Sequence, residues 1–176
     1  MALSTQAIGK NMFHGYAGSY SRQPDSVIDT QPLSQAETST PITFGLGVVY
    51  DAANPGAVII PTDASTAANF VGVAVREVKS ATDYLDQSVG QYVPGDAVPV
   101  LKRGCVNVLC QKGTPALGGA VYLRVKANNT YPNAVVGGFE AEADSTNTVQ
   151  LTNAQWKGPA DANNIAEMRI MTIINA

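Results

Sequence analysis

Short apolar runs, each ended by Pro, Gly, Asn or Asp, dominate the chain from Thr43 onward, and this pattern restricts the possible folds most. The run at 44–50 is broken by the turn residues DAANPG, and the run at 57–60 ends at Pro61. Short runs rich in β-branched residues between such turn residues are typical of β-strands. Further strands are predicted at 70–78, 98–110, 121–126 and 168–174.

The run at 70–78 alternates between larger apolar residues and small or polar ones. Val71, Val73 and Val75 are predicted to share one face of this strand, because successive side chains of a strand point to opposite faces. Such alternation indicates a strand with one face in the core. The run at 98–110 shows the same pattern.

Both cysteines of the chain lie in the strand predicted at 98–110. Val106, Val108 and Cys110 are predicted to share one face, whereas Cys105 points to the other because its separation from Cys110 is odd. The two thiols therefore cannot form a disulfide with each other. A single Cys-x4-Cys pair without a second pair of ligands is also a poor metal site. Two buried or half-buried free thiols are expected.

The sequence shows neither helical periodicity nor internal repeats. No window long enough for a helix has apolar residues at the helical period of roughly 3.6 residues. No segment recurs at the fixed spacing of a propeller or a solenoid. The chain is therefore predicted to be all-β, with a single antiparallel β-sandwich or barrel-like domain at residues 41–176.

Residues 1–40 differ from this pattern and predict an extended N-terminal arm. They are rich in Ser, Thr and Gln, contain several Gly and Pro residues, and show no sustained period. Such a segment cannot easily build a core of its own. Its aromatic residues, Phe13, Tyr16 and Tyr20, are nevertheless unusual for a flexible tail. Both observations fit an arm that becomes ordered against something else.

Composition argues against several classes of function. The chain has 176 residues, of which 45% are hydrophobic and 14% charged, and this length suits one domain that needs no disulfide or metal to fold. A net charge of -3 and a pI near 5.0 argue against nucleic-acid binding, since nucleic-acid-binding domains are usually basic. No run approaches the roughly 18 apolar residues of a membrane span. The N-terminal residues lack the pattern of a secretion signal, so the protein is expected to remain where it is made.

The sequence contains no recognisable catalytic or cofactor-binding motif. The single histidine, His14, lies in the arm, where no rigid strand would hold it as a base. No dinucleotide, phosphate-loop, zinc-protease or serine-hydrolase motif occurs. Two acidic clusters could supply paired carboxylates, namely Asp83 with Asp86, and Glu140 with Glu142 and Asp144. Both lie in polar, loop-like sequence and are predicted to be solvated, so no catalytic residue, metal or cofactor is predicted.

Several conspicuous residues are predicted to have structural roles. Trp156 has no neighbouring aromatic residues with which to form a carbohydrate platform, so it is expected in the core or in an interface. The adjacent cations Lys102 and Arg103 lie among strands, where such charges mark a sheet edge or an ion pair more often than an anion site. A role in the core or an interface is also predicted for Phe70, Val73, Val75, Val106 and Val108.

Six segments of the chain are similar, in their order and spacing, to the segments of a known protein family. They are the arm GYAGSYSRQPDSVIDT, the strand TFGLGVVYD, then FVGVAVREV, QYVPGDAVPVLKRGCVNV, GGAVYLRV and finally QWKGPADANNIAEMRIMTII. In this order and spacing the chain resembles the capsid cement, or decoration, proteins of tailed bacteriophages. The resemblance covers nearly the whole chain and is weakest at residues 134–152.

The resemblance implies a non-enzymatic protein that binds the outer surface of an assembled phage head in the virion. Such a protein bridges neighbouring subunits of the same phage's major capsid protein and stabilises the expanded shell against internal DNA pressure. The resemblance further implies a homo-oligomer, dimer or trimer, assembled in the host bacterial cytoplasm, with no nucleic-acid or membrane partner. Phe13, Tyr16 and Tyr20 would then be the anchors of the arm, and Arg22 would pair with a capsid carboxylate. Deleting residues 1–40 is expected to abolish binding and leave the β-domain folded.

The alternative interpretation is a β-sandwich module of a tail, a spike or the capsid surface that recognises host glycans. It would require a cluster of exposed aromatic residues on one face. Only 7% of the residues are aromatic, and they are spread along the chain. The sequence therefore favours the cement interpretation.

Overall fold

The structure is a computed structural model that describes residues 13–36, 40–77 and 90–173. Regular structure in these ranges is almost entirely β, and short 3-10 helices lie at Ala67–Asn69 and Ser145–Asn147. The strands are β1 (Tyr20–Pro32), β2 (Ile42–Thr43), β3 (Gly47–Tyr50), β4 (Val58–Ile59), β5 (Phe70–Ala74), β6 (Gln91–Tyr92), β7 (Ala97–Leu109), β8 (Ala120–Arg124), β9 (Phe139–Glu140), β10 (Thr148–Trp156) and β11 (Ile165–Ile170). No helix in the described ranges is long and apolar enough to cross a membrane.

One curled antiparallel sheet contains most of these strands and forms a half-barrel. Its strand order is β4-β3-β5-β7-β11-β10-β8-β9, and β1 pairs with β7 outside this path. Strands β2 and β6 form a separate two-stranded ribbon. The prediction of an all-β protein with one antiparallel sandwich or barrel-like domain and an extended N-terminal arm is confirmed.

Strand β7 connects the other parts of the sheet, because it pairs with three other strands. It pairs with β5 at Val100 and Leu101, and with β11 from Gly104 to Leu109. It also pairs with β1 over most of its length, although the register shifts three times along this pair. At Gly104 the backbone has a φ of 122°, and a Cβ atom there would lie 2.5 Å from the carbonyl oxygen of Asp25. Only glycine permits both this conformation and this close approach of β1.

The core consists of two clusters that lie on opposite faces of β5. All five residues of β5 are buried, and Phe70 and Val73 point into the first cluster, whereas Val71 and Ala74 point into the second. The prediction that Val71 shares a face with Val73 is therefore wrong. The register between β3 and β5 shifts at this point, which changes the alternation of side chains.

The residues predicted for the core or an interface all lie in the first cluster, and none is more than 1% exposed. They are Phe70, Val73, Val75, Val106, Val108 and Trp156. Both cysteines are buried and free, as predicted. Cys110 belongs to the first cluster, whereas Cys105 lies across from Arg22 and Arg169 in the neighbouring strands.

Part of the predicted arm is built into the sheet. Residues 20–32 form β1, and Leu33, which follows it, is 1% exposed in the second core cluster. This part of the arm is thus ordered against the rest of the same chain, because β7 offers it a backbone edge and the ribbon offers Leu33 an apolar site. The boundary between arm and domain at residue 40 remains a prediction.

Candidate functional site

Residues 13–26, here called the arm segment, follow the edge of β7, and they contact side chains of β7 and β11 that point away from the first core cluster. The backbone N–H of Gly18 donates to the carbonyl oxygen of Asn107 over 2.8 Å, and the N–H of Asn107 donates to Ser19 over 2.8 Å. The side-chain amide of Asn107 donates to the carbonyl oxygen of His14 over 2.7 Å. The N–H of His14 donates to a carboxylate oxygen of Asp161 over 2.9 Å. Hydrogen bonds therefore hold the beginning of the arm segment on the sheet.

A bidentate ion pair fastens the middle of the arm segment. Arg22 donates through Nε and Nη2 to the two carboxylate oxygens of Glu167, over 2.5 and 2.9 Å. The hydroxyl of Ser21 donates to the same carboxylate over 2.7 Å. The hydrogen bond from Arg22 lowers the pKa of Glu167, against the opposing effect of burial. Arg22, predicted to meet a capsid carboxylate, thus already has a partner within the chain, although 65% of its side chain is exposed.

Three further ion pairs hold the end of the arm segment and the part of β1 that follows it. Asp25 accepts from Arg103 over 2.7 Å and from Arg169 over 2.9 Å. Lys102 lies 2.9 Å from a carboxylate oxygen of Asp29. Of the two alternatives predicted for Lys102 and Arg103, a sheet edge or an ion pair, the structure shows ion pairs.

The aromatic side chains of the arm segment are exposed. The exposed fractions are 67% for Phe13, 55% for Tyr16 and 39% for Tyr20. The ring of Tyr16 lies 5.0 Å from the guanidinium carbon of Arg76, a cation–π contact that restricts the orientation of the ring. Polar contacts thus fasten this segment to its own sheet, and the three aromatic side chains remain available to another surface.

An open cleft of about 580 Å³ lies beside the arm segment. Its lining includes Phe13, Tyr20, Arg22, Asn107 and Glu167. The Asn107 Oδ1 atom is buried and accepts no hydrogen bond in the described part of the chain. The cleft thus combines two aromatic side chains with an ion pair and an amide group, a mixture that suits contact with another protein surface.

The acidic residues after β8 are not the solvated cluster that the sequence predicts. Glu140 is completely buried and Asp144 is 9% exposed, and both accept hydrogen bonds from the buried guanidinium of Arg124. Hydrogen bonds from Asn128 and Arg124 lower the pKa of Asp144 to about 2. The prediction of solvated side chains is wrong for Glu140 and Asp144, because Arg124 supplies a buried partner for both.

Of the candidates for chemistry that remain, His14 lies within the described residues. The imidazole Nε2 of His14 lies 3.3 Å from the carbonyl oxygen of Pro159. Asp83 and Asp86 lie outside the described residues. Among the residues that are described, no three His, Cys, Asp or Glu side chains are grouped so that they could hold a metal ion.

Comparisons with known proteins agree with this architecture. Residues 4–171 match the family described as "Structural cement protein (E217 gp24/Pam3 gp6)". The fold is similar to a chain in the solved structure "The capsid of Myoviridae Phage XM1", with a TM-score of 0.69, 16% sequence identity, and coverage of 98% of this chain and 99% of that chain. No curated protein matches the sequence.

The chain belongs to the phage structural cement protein family, since the family match covers nearly all of its length. It is therefore a capsid-associated structural protein of a phage virion.

Proposed function

We propose that the protein binds the outer surface of an assembled phage head and bridges neighbouring subunits of the major capsid protein of the same phage. The exposure of Phe13, Tyr16 and Tyr20 on a segment that is fastened to the sheet carries this proposal. Large aromatic side chains are frequent energetic anchors of protein interfaces. A fastened segment also loses less conformational entropy on binding than a free tail does.

Bridging would stabilise the expanded shell by mass action. A ligand that contacts two neighbouring subunits binds the assembled shell more tightly than free subunits, and it therefore shifts the equilibrium towards assembly. The role is non-enzymatic and needs no cofactor. We propose that the protein acts on the outer surface of the virion as a homo-oligomer, dimer or trimer, after assembly in the host bacterial cytoplasm.

Arg22 has a secondary part in this proposal. Its bidentate bond to Glu167 keeps the arm segment in place, and 65% of its side chain remains exposed. We propose that it also pairs with a capsid carboxylate at the edge of the contact that the aromatic side chains make. Exposed ion pairs contribute little affinity but favour correct orientation.

The proposal is tested by co-sedimentation with undecorated, expanded heads. Deletion of residues 1–40 would remove β1 and the core residue Leu33, so substitution of the exposed side chains is the cleaner change. The triple variant Phe13→Ser, Tyr16→Ser, Tyr20→Ser is expected to bind at least about tenfold more weakly, the equivalent of roughly 1.4 kcal/mol. Heads decorated with the wild-type protein are expected to melt at a higher temperature than bare heads.

A control variant separates the loss of these anchors from a general loss of surface hydrophobicity. Leu117 is 74% exposed and lies in the turn before β8, so Leu117→Ser is expected to bind like the wild type. Failure of the folded wild-type protein to bind cognate heads would contradict the proposed function. Unchanged binding of the triple variant would contradict the role of the aromatic side chains.

A further inference from the structure

The segment at 125–147, here called the Arg124 loop, connects β8 to β10 and contains the short strand β9. Its organisation depends on one buried side chain, since the guanidinium of Arg124 donates to Glu140 over 2.5 Å and to Asp144 over 2.8 Å. The same guanidinium donates to the carbonyl oxygen of Lys126 over 3.1 Å. Arg124 therefore connects the beginning, the middle and the end of the loop.

The carboxylate of Asp144 extends this network to the rest of the loop. It accepts hydrogen bonds from the side-chain amide of Asn128 over 2.9 Å and of Asn147 over 3.4 Å. The backbone N–H of Asp144 donates to the hydroxyl of Thr148 over 2.8 Å. Few conformational degrees of freedom remain in a loop that is cross-connected in this way.

Such a network is a costly way to hold a loop. Charged groups lose their hydration when they are buried, and a buried ion pair is often no more stabilising than apolar residues of similar volume. Glu140 is completely buried, and its Oε2 atom accepts no hydrogen bond within the described residues. The network is therefore better explained as a device that fixes the conformation of the loop than as a source of stability.

The surface that the loop presents has the composition of an interface. No residue from 127 to 139 is charged, and Tyr131 and Val135 are 39% and 49% exposed. The ammonium group of Lys112 lies 4.3 Å from the ring centroid of Tyr131 and 3.6 Å from Asp144. The ring is thus connected to the same ionic network. Charge depletion and a fixed aromatic side chain are typical of the centre of an interface.

The Arg124 loop is separate from the arm segment. The backbone of the arm segment bonds to β7 at Asn107, and the loop meets the continuation of the same strand at Gln111, whose N–H donates to the carbonyl oxygen of Phe139 over 2.9 Å. Four residues along a strand correspond to about 13 Å. A protein that bridges two subunits needs two surfaces, and residues 127–139 of the loop supply an uncharged one apart from the first.

We infer that the Arg124 loop is a second capsid-binding surface, on which Tyr131 and Val135 dock against an apolar site of a capsid subunit other than the one that the arm segment contacts. This inference rests on the proposed function. The rigid loop fixes the distance between the two contacts, so that the protein recognises the spacing of subunits in the expanded shell.

Photo-cross-linking on decorated heads tests the inference directly. A photoreactive benzoylphenylalanine replaces Tyr131 in one variant and Tyr16 in another, and the cross-linked peptides are identified by mass spectrometry. Both probes are expected to attach to the major capsid protein, at different surface regions. Attachment of the Tyr131 probe to a second copy of this chain, or to nothing while the Tyr16 probe reacts, overturns the inference and leaves the proposed function intact.

Binding measurements supply an independent readout. The double variant Tyr131→Ser, Val135→Ser changes only exposed side chains and is expected to remain folded, which circular dichroism and urea unfolding verify. It is expected to bind heads at least about tenfold more weakly than the wild type, whereas Leu117→Ser, at the other end of β8, binds normally. Wild-type affinity of the double variant would overturn the inference. Absence of wild-type binding would instead contradict the proposed function.

Discussion

The arm segment and the Arg124 loop are each fastened by an arginine that bonds carboxylates, but the two arginines differ in their exposure to water. The side chain of Arg22 is 65% exposed while it bonds Glu167. The side chain of Arg124 is completely buried between Glu140 and Asp144. Water can reach the guanidinium of Arg22, whereas the side chains of Arg124 and Glu140 are completely buried.

This difference separates an adjustable contact from a fixed one. Exposed ion pairs contribute about 0–1 kcal/mol, because solvent screens them and the long side chains lose entropy. Removal of one partner from a buried pair costs about 3–5 kcal/mol, because it leaves a charge without hydration or a counter-ion. The side chain of Arg22 can thus adjust to a neighbouring surface at little cost, and the Arg124 loop keeps its shape.

The largest effect is expected from Arg124→Met. This change leaves Glu140 and Asp144 without their common partner and is expected to lower the free energy of unfolding by about 3–5 kcal/mol. Urea unfolding measures the loss. The matched control is Arg103→Met, which removes an arginine whose side chain is 48% exposed and is expected to cost under about 1 kcal/mol. Equal losses of unfolding free energy in the two variants would show that burial does not determine how much these ion pairs stabilise the fold.

A smaller effect is expected from acidification. The folded-state pKa of both Glu167 and Asp144 is lowered, and that of Asp144 is about 2. Each carboxylate therefore stabilises the fold fully above its unfolded pKa, near 4.3 for Glu and 3.9 for Asp. This stabilisation is lost as the pH falls through the folded value. The melting temperature is expected to decrease from about pH 5 towards pH 2.

One variant measures how much of this pH dependence of the melting temperature arises from the arm segment. Glu167→Gln removes the titrating group that Arg22 bonds, so its melting temperature is expected to fall less steeply on acidification than that of the wild type. Thermal unfolding of both proteins between pH 7 and pH 2 makes the comparison. Identical slopes would show that the pair of Arg22 and Glu167 does not contribute to acid sensitivity.

The smallest effect is expected from Arg22→Met. Loss of this pair, in which Arg22 is exposed and Glu167 is buried, is expected to lower the free energy of unfolding by about 1 kcal/mol, because Glu167 keeps the hydrogen bond from Ser21. Hydrogen exchange of the backbone amides of Gly18 and Asn107, which bond the arm segment to β7, is expected to accelerate, because the arm segment opens locally more often. Unchanged exchange at these two amides would show that the hydrogen bonds to β7 suffice to hold the segment.

The strands that the sequence predicts correctly are those with buried β-branched residues. The prediction at 98–110 agrees with β7 within one residue at each end. Strand β10 is missed because it is rich in Thr, Asn and Gln, and because a register shift between Leu151 and Gln155 interrupts its alternation. Strand β1 is missed because its side chains are mostly exposed, so that its structure depends on the edge of β7 and not on its own pattern.

The candidate site, like the strands, can be predicted only in part from the sequence. The aromatic residues of the arm stand out in a polar segment, and the structure exposes all three. The ionic network is not predictable, because Arg124 alternates with buried residues as an exposed strand residue would. Its partners Glu140 and Asp144 come together with it only through the fold of the loop. Sequence patterns report local structure, and pairs of charges that meet across a loop leave no such pattern.

The pairing of β1 with β7 also determines when the arm can take its place. The register joins Pro32 to Ala97 and Tyr20 to Val106, so more than sixty residues separate every pair of partners. During synthesis β1 leaves the ribosome before its partner strand exists, and closing so long a loop carries an entropic cost. Strand β1 is therefore made before β7 and can take its place in the sheet only after β7 has been made. Until β7 is complete, the segment that carries Phe13 and Tyr16 has no strand edge with which to form backbone hydrogen bonds.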